Sequence, residues 1–216
     1  MFDTATARRL MVDGQVRTAD VTDLDLLEAM ATVPRERFLP QSLAGLAYLD
    51  GEIPIAKGRA LPRPMVLAKL IQAARVRAED RVLDVACGTG YSSAVLGRLA
   101  DSVVALEEDP ELAGRARTAL AAGGVSNVRV EVGPLTGGWP PGAPFDVILL
   151  NGSTEIVPAA LGRQLKPDGR LACIYGWPAS KGMIFRLIEG QLVGRPIFEA
   201  GAPLLPGFAA PPAFVF

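Results

Sequence analysis

Residues 84–91, with the sequence Asp-Val-Ala-Cys-Gly-Thr-Gly-Tyr, have the types and spacing best suited to binding a ligand. Glycine at positions 88 and 90 lets the backbone approach a ligand closely, and a helix that begins at Tyr91 would direct its free N–H groups toward it. Asp84 precedes this turn, and a second acid, Glu107, follows Gly90 by 17 residues. A carboxylate at that place, the end of the next predicted strand, can accept hydrogen bonds from both ribose hydroxyls of an adenosine cofactor.

The residue at the third glycine position of the turn distinguishes a dinucleotide from S-adenosylmethionine. A dinucleotide turn has the pattern Gly-x-Gly-x-x-Gly, whereas this chain has Ser93 at the last of these positions. A dinucleotide also has no use for an acid before the turn, while S-adenosylmethionine carries a cationic amino group that Asp84 could hold. We therefore predict S-adenosylmethionine. A nicotinamide enzyme, and a tight turn that binds no cofactor, are the alternatives.

The elements that must position these residues follow from the pattern of apolar segments. From Arg81 onward, short apolar strands alternate with helices, which predicts β-α-β units and a parallel sheet covered on both faces. The residues around Gly190 are typical of a tight hairpin, so the last strands should be antiparallel. The predicted strands are 81–86, 102–107, 128–132, 145–150, 170–175, 183–188 and 192–199, and the predicted helices are 91–100, 110–122 and 156–165. The fold class is therefore α/β, with a doubly wound and mostly parallel sheet.

The first 75 residues show a different pattern, which we interpret as an N-terminal helical extension. Its helices are predicted to begin at Asp23, ending before Pro34, and at Met65, ending at Arg75. Prolines and glycines interrupt residues 50–64, which predicts a loop. The predicted domains are 1–75 and 76–216, and the proline-rich tail, 203–216, is expected to be irregular.

The composition excludes several classes of protein. Lys and Arg number 22 against 23 Asp and Glu, so the basic surplus typical of a nucleic-acid binder is missing. There is no histidine and there are two cysteines, which rules out histidine relays and argues against a metal site. No signal peptide and no long apolar run is visible, so we expect a soluble, cytoplasmic protein with no membrane partner. No feature predicts an oligomeric state.

Several short segments in order, from about residue 9 to 208, resemble the protein-L-isoaspartate O-methyltransferases, a family of class I S-adenosylmethionine-dependent methyltransferases. The similar segments are 9–17, 33–38, 54–55 with Pro64, 84–91, 144–146 and 203–204. The resemblance implies a helical extension carrying the substrate loop, in front of a seven-stranded methyltransferase domain. It also implies methyl transfer to the carboxylate of an isoaspartyl (or D-aspartyl) residue in a polypeptide. The resulting ester closes to a succinimide, which lets the protein revert partly to aspartate.

The resemblance also assigns site residues. Asp84 and the turn would hold the methionine part of the cofactor, Glu107 the ribose, and Leu61 with Pro62 would line the methyl-transfer channel. The full set of predicted cofactor-binding residues is Leu61, Asp84, Ala86, Cys87, Gly88, Thr89, Gly90, Tyr91, Glu107, Glu108, Gly133, Pro134 and Asn151.

The chain departs from the family pattern at three places. The family's Thr-Ile-Ser-x-Pro stretch, whose serine lies beside the transferring methyl, reads Ala-Leu-Pro-Arg-Pro at 60–64, so Pro62 stands at the serine position. The family's Gly-Asp-Gly after the third parallel strand begins here Gly133-Pro134, without the acid that accepts from the adenine amino group. Ala86 replaces a usual glycine, which we regard as a mild change. We expect weak cofactor binding and weak turnover on isoaspartyl peptides.

These departures keep two further functions open. One is a diverged enzyme that binds S-adenosylmethionine but methylates another substrate, such as a small acid. The other is a binding protein on the same fold that has lost turnover. Methylating a carboxylate needs no general base because the nucleophile is already ionised, so the lack of histidine is compatible with catalysis.

A few single residues have two interpretations. Arg63 could hold a substrate carboxylate, but we favour an exposed surface arginine. Asn151 is equally a ligand contact or a turn residue. Cys87 and Cys173 are expected to be buried fillers. The charged run 35–37 would normally be solvated, although the resemblance favours salt bridges that pack it on the sheet. The tryptophans at 139 and 177 are expected in the core or in a lid.

Overall fold

A seven-stranded sheet forms the centre of the computed structural model, which describes residues 3–176 and 179–211. Its strands, together with a separate two-stranded hairpin, are β1 (Ile53–Ala56), β2 (Arg59–Leu61), β3 (Arg81–Val85), β4 (Ser102–Glu107), β5 (Val128–Val132), β6 (Phe145–Thr154), β7 (Leu165–Tyr175), β8 (Lys181–Ile188) and β9 (Gln191–Glu199). The α-helices are α1 (Thr4–Met11), α2 (Leu24–Thr32), α3 (Pro64–Ala74), α4 (Tyr91–Leu96), α5 (Pro110–Ala122) and α6 (Ala159–Gly162).

The strand order of the sheet is β5-β4-β3-β6-β7-β8-β9. The first five strands are parallel, and β8 and β9 are antiparallel to their neighbours. The β8–β9 turn has positive φ at both Glu189 (51°) and Gly190 (78°), as the predicted tight hairpin requires. The predicted α/β fold with antiparallel C-terminal strands is confirmed.

The register of the central strands places the candidate site at one edge of the sheet. Val85 of β3 pairs with Leu106 of β4 on one side and with Leu150 of β6 on the other. Because parallel strands share a carboxyl edge, the turn after β3 and the end of β4 lie side by side. Ligands of open α/β sheets bind at this edge.

Two predictions on local structure are wrong. Residues 50–64 contain the hairpin β1–β2 rather than an irregular loop, because Ile53 and Leu61 pair and bury their side chains while Gly58 takes the left-handed turn conformation. The predicted helix 156–165 is reduced to the single turn of α6. Tertiary pairing lengthens β6 to Thr154, which pairs with Tyr175, and the chain re-enters the sheet at Leu165.

The N-terminal region packs directly on the sheet. Short π- and 3₁₀-helical segments follow α1, and α3 contacts β7 and β8. Arg170 of β7 donates to the carbonyls of Ala74 (2.8 Å) and Arg75 (2.6 Å). One apolar core contains side chains from both regions, including Met30 and Ile184. The division between residues 75 and 76 stays a prediction.

The tail is irregular where the structure describes it. Over residues 203–211 there is only an isolated bridge from Leu204 to Ser153. Trp177 and residues 212–216 lie outside the described residues, and the expectations for them stay predictions. Within residues 3–176 and 179–211, no helix is long and apolar enough to cross a membrane.

Candidate cofactor site

The turn between β3 and α4 has the conformation that its glycines suggest. Gly88 and Gly90 have φ values of 59° and 94°, in the left-handed region that favours glycine. The N–H of Gly90 donates to the carbonyl of Cys87 at 2.9 Å, and α4 begins at the next residue. Ala86 also has a positive φ, 64°. Replacing glycine there is therefore a strained change rather than the mild one we expected, with a cost of about 1–2 kcal/mol.

The two glycines also allow close packing on both sides of the turn. A Cβ at Gly90 would lie 3.2 Å from the Cβ of Ala116 on α5. A Cβ at Gly88 would lie 2.7 Å from Cδ1 of Ile55, which belongs to the β1–β2 hairpin. Residues 82–96 are all buried, so the hairpin and neighbouring elements cover the turn.

Asp84 lies wholly buried behind the turn. Its Oδ2 accepts hydrogen bonds from the hydroxyls of Ser92 (2.7 Å) and Ser93 (2.6 Å), and Asn151 donates to the Ser92 hydroxyl at 2.8 Å. Its Oδ1 has no partner in the described part of the chain. Burial raises the pKa of Asp84 to about 6, although the two hydroxyls oppose this shift. One carboxylate oxygen thus remains for a donor such as an ammonium group.

Glu107 is also fully buried, and both of its oxygens are already bound. Oε1 and Oε2 accept from the two terminal nitrogens of Arg59 at 2.6 and 2.7 Å, a bidentate ion pair. Backbone N–H groups of Gly88, Glu108 and Asp109 donate to the same carboxylate. The position predicted to bind ribose therefore holds an arginine from β2, which no sequence pattern marks as a site residue.

The substrate loop that follows β2 is held from behind by Arg35. Nη2 of Arg35 donates to the carbonyl of Pro62 at 2.6 Å, and Nε donates to Ala47 at 2.8 Å. The guanidinium lies 4.7 Å from the ring centroid of Tyr91, which contacts Phe38 edge to face. Arg35 is fully buried, so the expectation of a solvated charge at this position is wrong. It packs through carbonyls, and the salt bridge of the run 35–37 is made by Glu36, whose Oε2 lies 3.8 Å from Nη1 of Arg8.

Two of the predicted cofactor residues, Thr89 and Tyr91, direct their side chains toward the N-terminal region. The hydroxyl of Thr89 donates to the carbonyl of Phe38 at 2.6 Å, and the Tyr91 ring is buried against that residue and Arg35. The side chains of both residues hold the N-terminal region against the turn, so only their backbone is placed to meet a cofactor. Leu61 is buried at the end of β2.

The remaining predicted residues lie at the carboxyl edge or in the core. The N–H of Gly133 donates to the carbonyl of Glu107 at 3.1 Å, which places Gly133 beside Glu107. The next residue, the exposed Pro134, stands where the resemblance puts the family's aspartate. Glu108 is half-buried, which raises its pKa. Cys87 and Cys173 are buried free thiols, and burial raises the pKa of both.

Arg63 and Trp139 are both half-buried. Arg63 forms an ion pair with Asp50 at 3.1 Å, but its Nε is enclosed and has no partner in the described residues, so it is less exposed than the surface arginine that we favoured. Trp139 is half-buried against the apolar cluster below β6. Within the described ranges, no group of three or more His, Cys, Asp or Glu residues could hold a metal ion.

Comparison with known proteins identifies the family. The family model described as Protein-L-isoaspartate(D-aspartate) O-methyltransferase matches residues 7–182. The chain belongs to this family. A protein-L-isoaspartate O-methyltransferase of Methylorubrum extorquens is 42% identical over 92% of this chain and 85% of its own length. One of Opitutus terrae is 40% identical over 91% of this chain and 84% of its own.

Two solved structures that carry the family's name share the fold of this chain. One protein-L-isoaspartate O-methyltransferase has a TM-score of 0.80 and 24% identity, over 92% of this chain and 66% of that one. A putative protein-L-isoaspartate O-methyltransferase from Plasmodium falciparum, in complex with S-adenosyl-L-homocysteine, has a TM-score of 0.79 and 16% identity, over 92% and 97% of the two chains. The family is one of S-adenosylmethionine-dependent carboxyl methyltransferases.

Two buried carboxylates of this chain match the functional groups of S-adenosylmethionine. Asp84 has a free oxygen for a cationic group, and Glu107 can accept from two hydroxyls. The space over the turn, however, is filled by Ile55, and Arg59 already binds Glu107. A cofactor held by these groups would therefore have to displace the side chains of Ile55 and Arg59.

Proposed function

We propose that this chain transfers the methyl group of S-adenosylmethionine to the α-carboxylate of an isoaspartyl residue in a polypeptide. The observation that supports this most is the pair of buried acids, Asp84 and Glu107, on either side of a glycine turn, in a member of the isoaspartate methyltransferase family.

In this proposal, Asp84 holds the amino group of the cofactor through its free Oδ1, and Glu107 holds the ribose. Gly88 lets the cofactor lie against the backbone, and Gly133 and Pro134 border the adenine. When bound, S-adenosylmethionine supplies a methyl carbon on a sulfonium, and a carboxylate oxygen can attack it without losing a proton. The chain therefore needs no general base, and its residues act by orienting the reactants and excluding water.

The substrate loop should make the reaction slow. Ala60 and Pro62 lack the hydroxyls of the family loop, and each lost neutral hydrogen bond to the substrate costs about 0.5–1.5 kcal/mol. Pro62 also lacks an N–H, and its carbonyl is already bound by Arg35. The loop thus has few groups left for recognising a peptide backbone.

The same loop favours a second candidate, methylation of a small carboxylic acid. Pro62 and Pro64 restrict the backbone on both sides of Arg63, so the loop is stiffer than one that adapts to varied polypeptides. Arg63 lies within this loop with its side chain partly exposed, and an acid could replace Asp50 as its partner. With either substrate, we place the enzyme in the cytoplasm.

Incubation with methyl-labelled S-adenosylmethionine tests the function. The protein is given an isoaspartyl peptide, the same peptide with ordinary aspartate, and a set of small dicarboxylic acids. We expect slow, base-labile labelling of the isoaspartyl peptide and none of the aspartyl control. Labelling of a small acid alone would establish the second candidate, and labelling of none would contradict both.

A double variant tests the role of the loop. Ala60→Thr with Pro62→Ser restores the two hydroxyls and should raise isoaspartyl labelling about tenfold, which corresponds to about 1.4 kcal/mol of transition-state stabilisation. The matched control is Thr118→Ser, a conservative change on an exposed turn of α5 that should leave the rate unchanged. Fast labelling by the unmodified protein would show that the hydroxyls are dispensable.

A further inference from the structure

The β1–β2 hairpin places two side chains in the region that the proposed function assigns to the cofactor. Ile55, on the first strand, lies against Gly88, and Arg59, on the second, binds both oxygens of Glu107. Arg59 is itself buried, although Lys57 and Gly58 at the tip of the hairpin are exposed. The hairpin is therefore anchored by the side chains of its strands, and its tip is free.

We propose that Arg59 is an internal competitor for the cofactor site and so sets the cofactor affinity of this enzyme. The inference rests on the proposed function, in which Glu107 accepts from the ribose. The guanidinium donates two hydrogen bonds to the two oxygens that two ribose hydroxyls would otherwise occupy. Cofactor and Arg59 cannot use this carboxylate in the same way at the same time.

The contacts of Glu107 show why removing Arg59 leaves the acid in place. Three backbone N–H groups, from Gly88, Glu108 and Asp109, donate to its carboxylate at 2.8 to 3.2 Å. Without the arginine, the buried carboxylate keeps these donors and gains free acceptor capacity. The site then becomes better prepared for a neutral diol than it is in the natural protein.

The strand that carries Arg59 also carries the first part of the substrate loop. Ala60 and Leu61 belong to β2, and the carbonyl of the next residue, Pro62, is held by Arg35. Any movement of this strand that accompanies the release of Glu107 would therefore change the position of the loop that meets the substrate.

The apparent affinity of a protein for a ligand is proportional to the fraction of molecules in the binding-competent state. Replacing Arg59 should raise that fraction. We expect Arg59→Gln to bind S-adenosylhomocysteine at least tenfold more tightly than the natural protein in calorimetric titrations. Arg59→Lys, which keeps the charge but not the two-pronged geometry, should lie between them.

The rate of binding provides a second measurement. In stopped-flow mixing, the observed rate for the natural protein should level off at high S-adenosylhomocysteine concentration, because opening of the hairpin limits it. Arg59→Gln should raise this plateau at least tenfold. Arg17→Gln removes an exposed arginine–aspartate pair of the N-terminal helical segments and is the matched control, with affinity and rate unchanged.

Thermal unfolding of each variant shows whether it is folded before binding is measured. Equal S-adenosylhomocysteine affinity in the natural protein and Arg59→Gln would overturn the inference while leaving the proposed function intact. Weaker binding by Arg59→Gln would also overturn it, since Arg59 would then be a ligand contact. If none of the folded proteins binds S-adenosylhomocysteine, both the inference and the proposed function fail.

Discussion

Replacing Arg35 by methionine tests whether the substrate loop is held by a buried guanidinium. The side chain is fully buried and donates two hydrogen bonds to backbone carbonyls, those of Ala47 and Pro62. Methionine fills much of the same volume but leaves both carbonyls without this donor. The change therefore removes the polar contacts while largely preserving the packing against Tyr91.

Two opposing effects determine the magnitude. A hydrogen bond that involves a charged group contributes about 1.5–3 kcal/mol, so the two together contribute about 3–6 kcal/mol. Against this, a buried guanidinium carries a desolvation cost, which also lowers the pKa of Arg35, and methionine removes that cost. Since two carbonyls lose their partner, we expect the free energy of unfolding to fall by about 3 kcal/mol.

Urea unfolding of the natural protein and two variants measures this difference. Arg37→Met is the matched control, because Arg37 is exposed and makes one hydrogen bond, to the carbonyl of Ala122 at 2.9 Å. It should lose less than about 1 kcal/mol. The reasoning is refuted if Arg35→Met loses no more stability than Arg37→Met, since the carbonyls would then be satisfied in another way.

Three further predictions concern the turn and its edge. Ala86→Gly should raise the free energy of unfolding, measured in urea, by about 0.5–1 kcal/mol, because relief of the left-handed strain outweighs the greater entropy of glycine in the unfolded chain. A lower free energy of unfolding would contradict this. The folded-state pKa of Asp84 is raised from 3.8 to about 6, so the folded protein holds this proton more tightly and stability falls as pH rises between these values. When urea unfolding is measured at a series of pH values, Asp84→Asn should abolish this decrease in the free energy of unfolding, which is up to about 3 kcal/mol. An unchanged dependence of stability on pH would refute the assignment. Pro134→Asp should tighten S-adenosylhomocysteine binding about tenfold or more in calorimetry, because an ionised acceptor contributes about 1.5–3 kcal/mol; unchanged affinity would mean that another group already serves the adenine.

The sequence predicted the elements best where the determinants are local. The bounds of Ser102–Glu107, Pro110–Ala122 and Val128–Val132 agree with the prediction. The carboxylate of Asp109 caps α5 by accepting from two backbone N–H groups of its first turn, and Pro110 has the backbone angle that a helix start needs. Such features lie within a few residues of each other and can be recognised without the tertiary structure.

The errors arise where distant residues determine the structure. A stretch rich in proline and glycine becomes the β1–β2 hairpin because it covers the glycine turn, and β6 is lengthened by pairing with β7. Arg59 and Glu107 are 48 positions apart, and no local pattern marks Arg59 as the partner of that acid. Arg35 lies within a run of charges that is normally solvated, so only the fold reveals its burial. The acids and the turn were thus predictable, whereas the residues that cover them were not.

Calorimetric titration with S-adenosylhomocysteine tests most directly whether the glycine turn is the cofactor site. Gly88→Val adds a side chain where the backbone must meet the cofactor, and Gly124→Val introduces the same residue at another positive φ, 68°, with open space around it. We predict saturable binding to the natural protein and to folded Gly124→Val, and none to folded Gly88→Val. Binding of NAD but not of S-adenosylhomocysteine by the natural protein, or undiminished binding by Gly88→Val, would contradict this assignment.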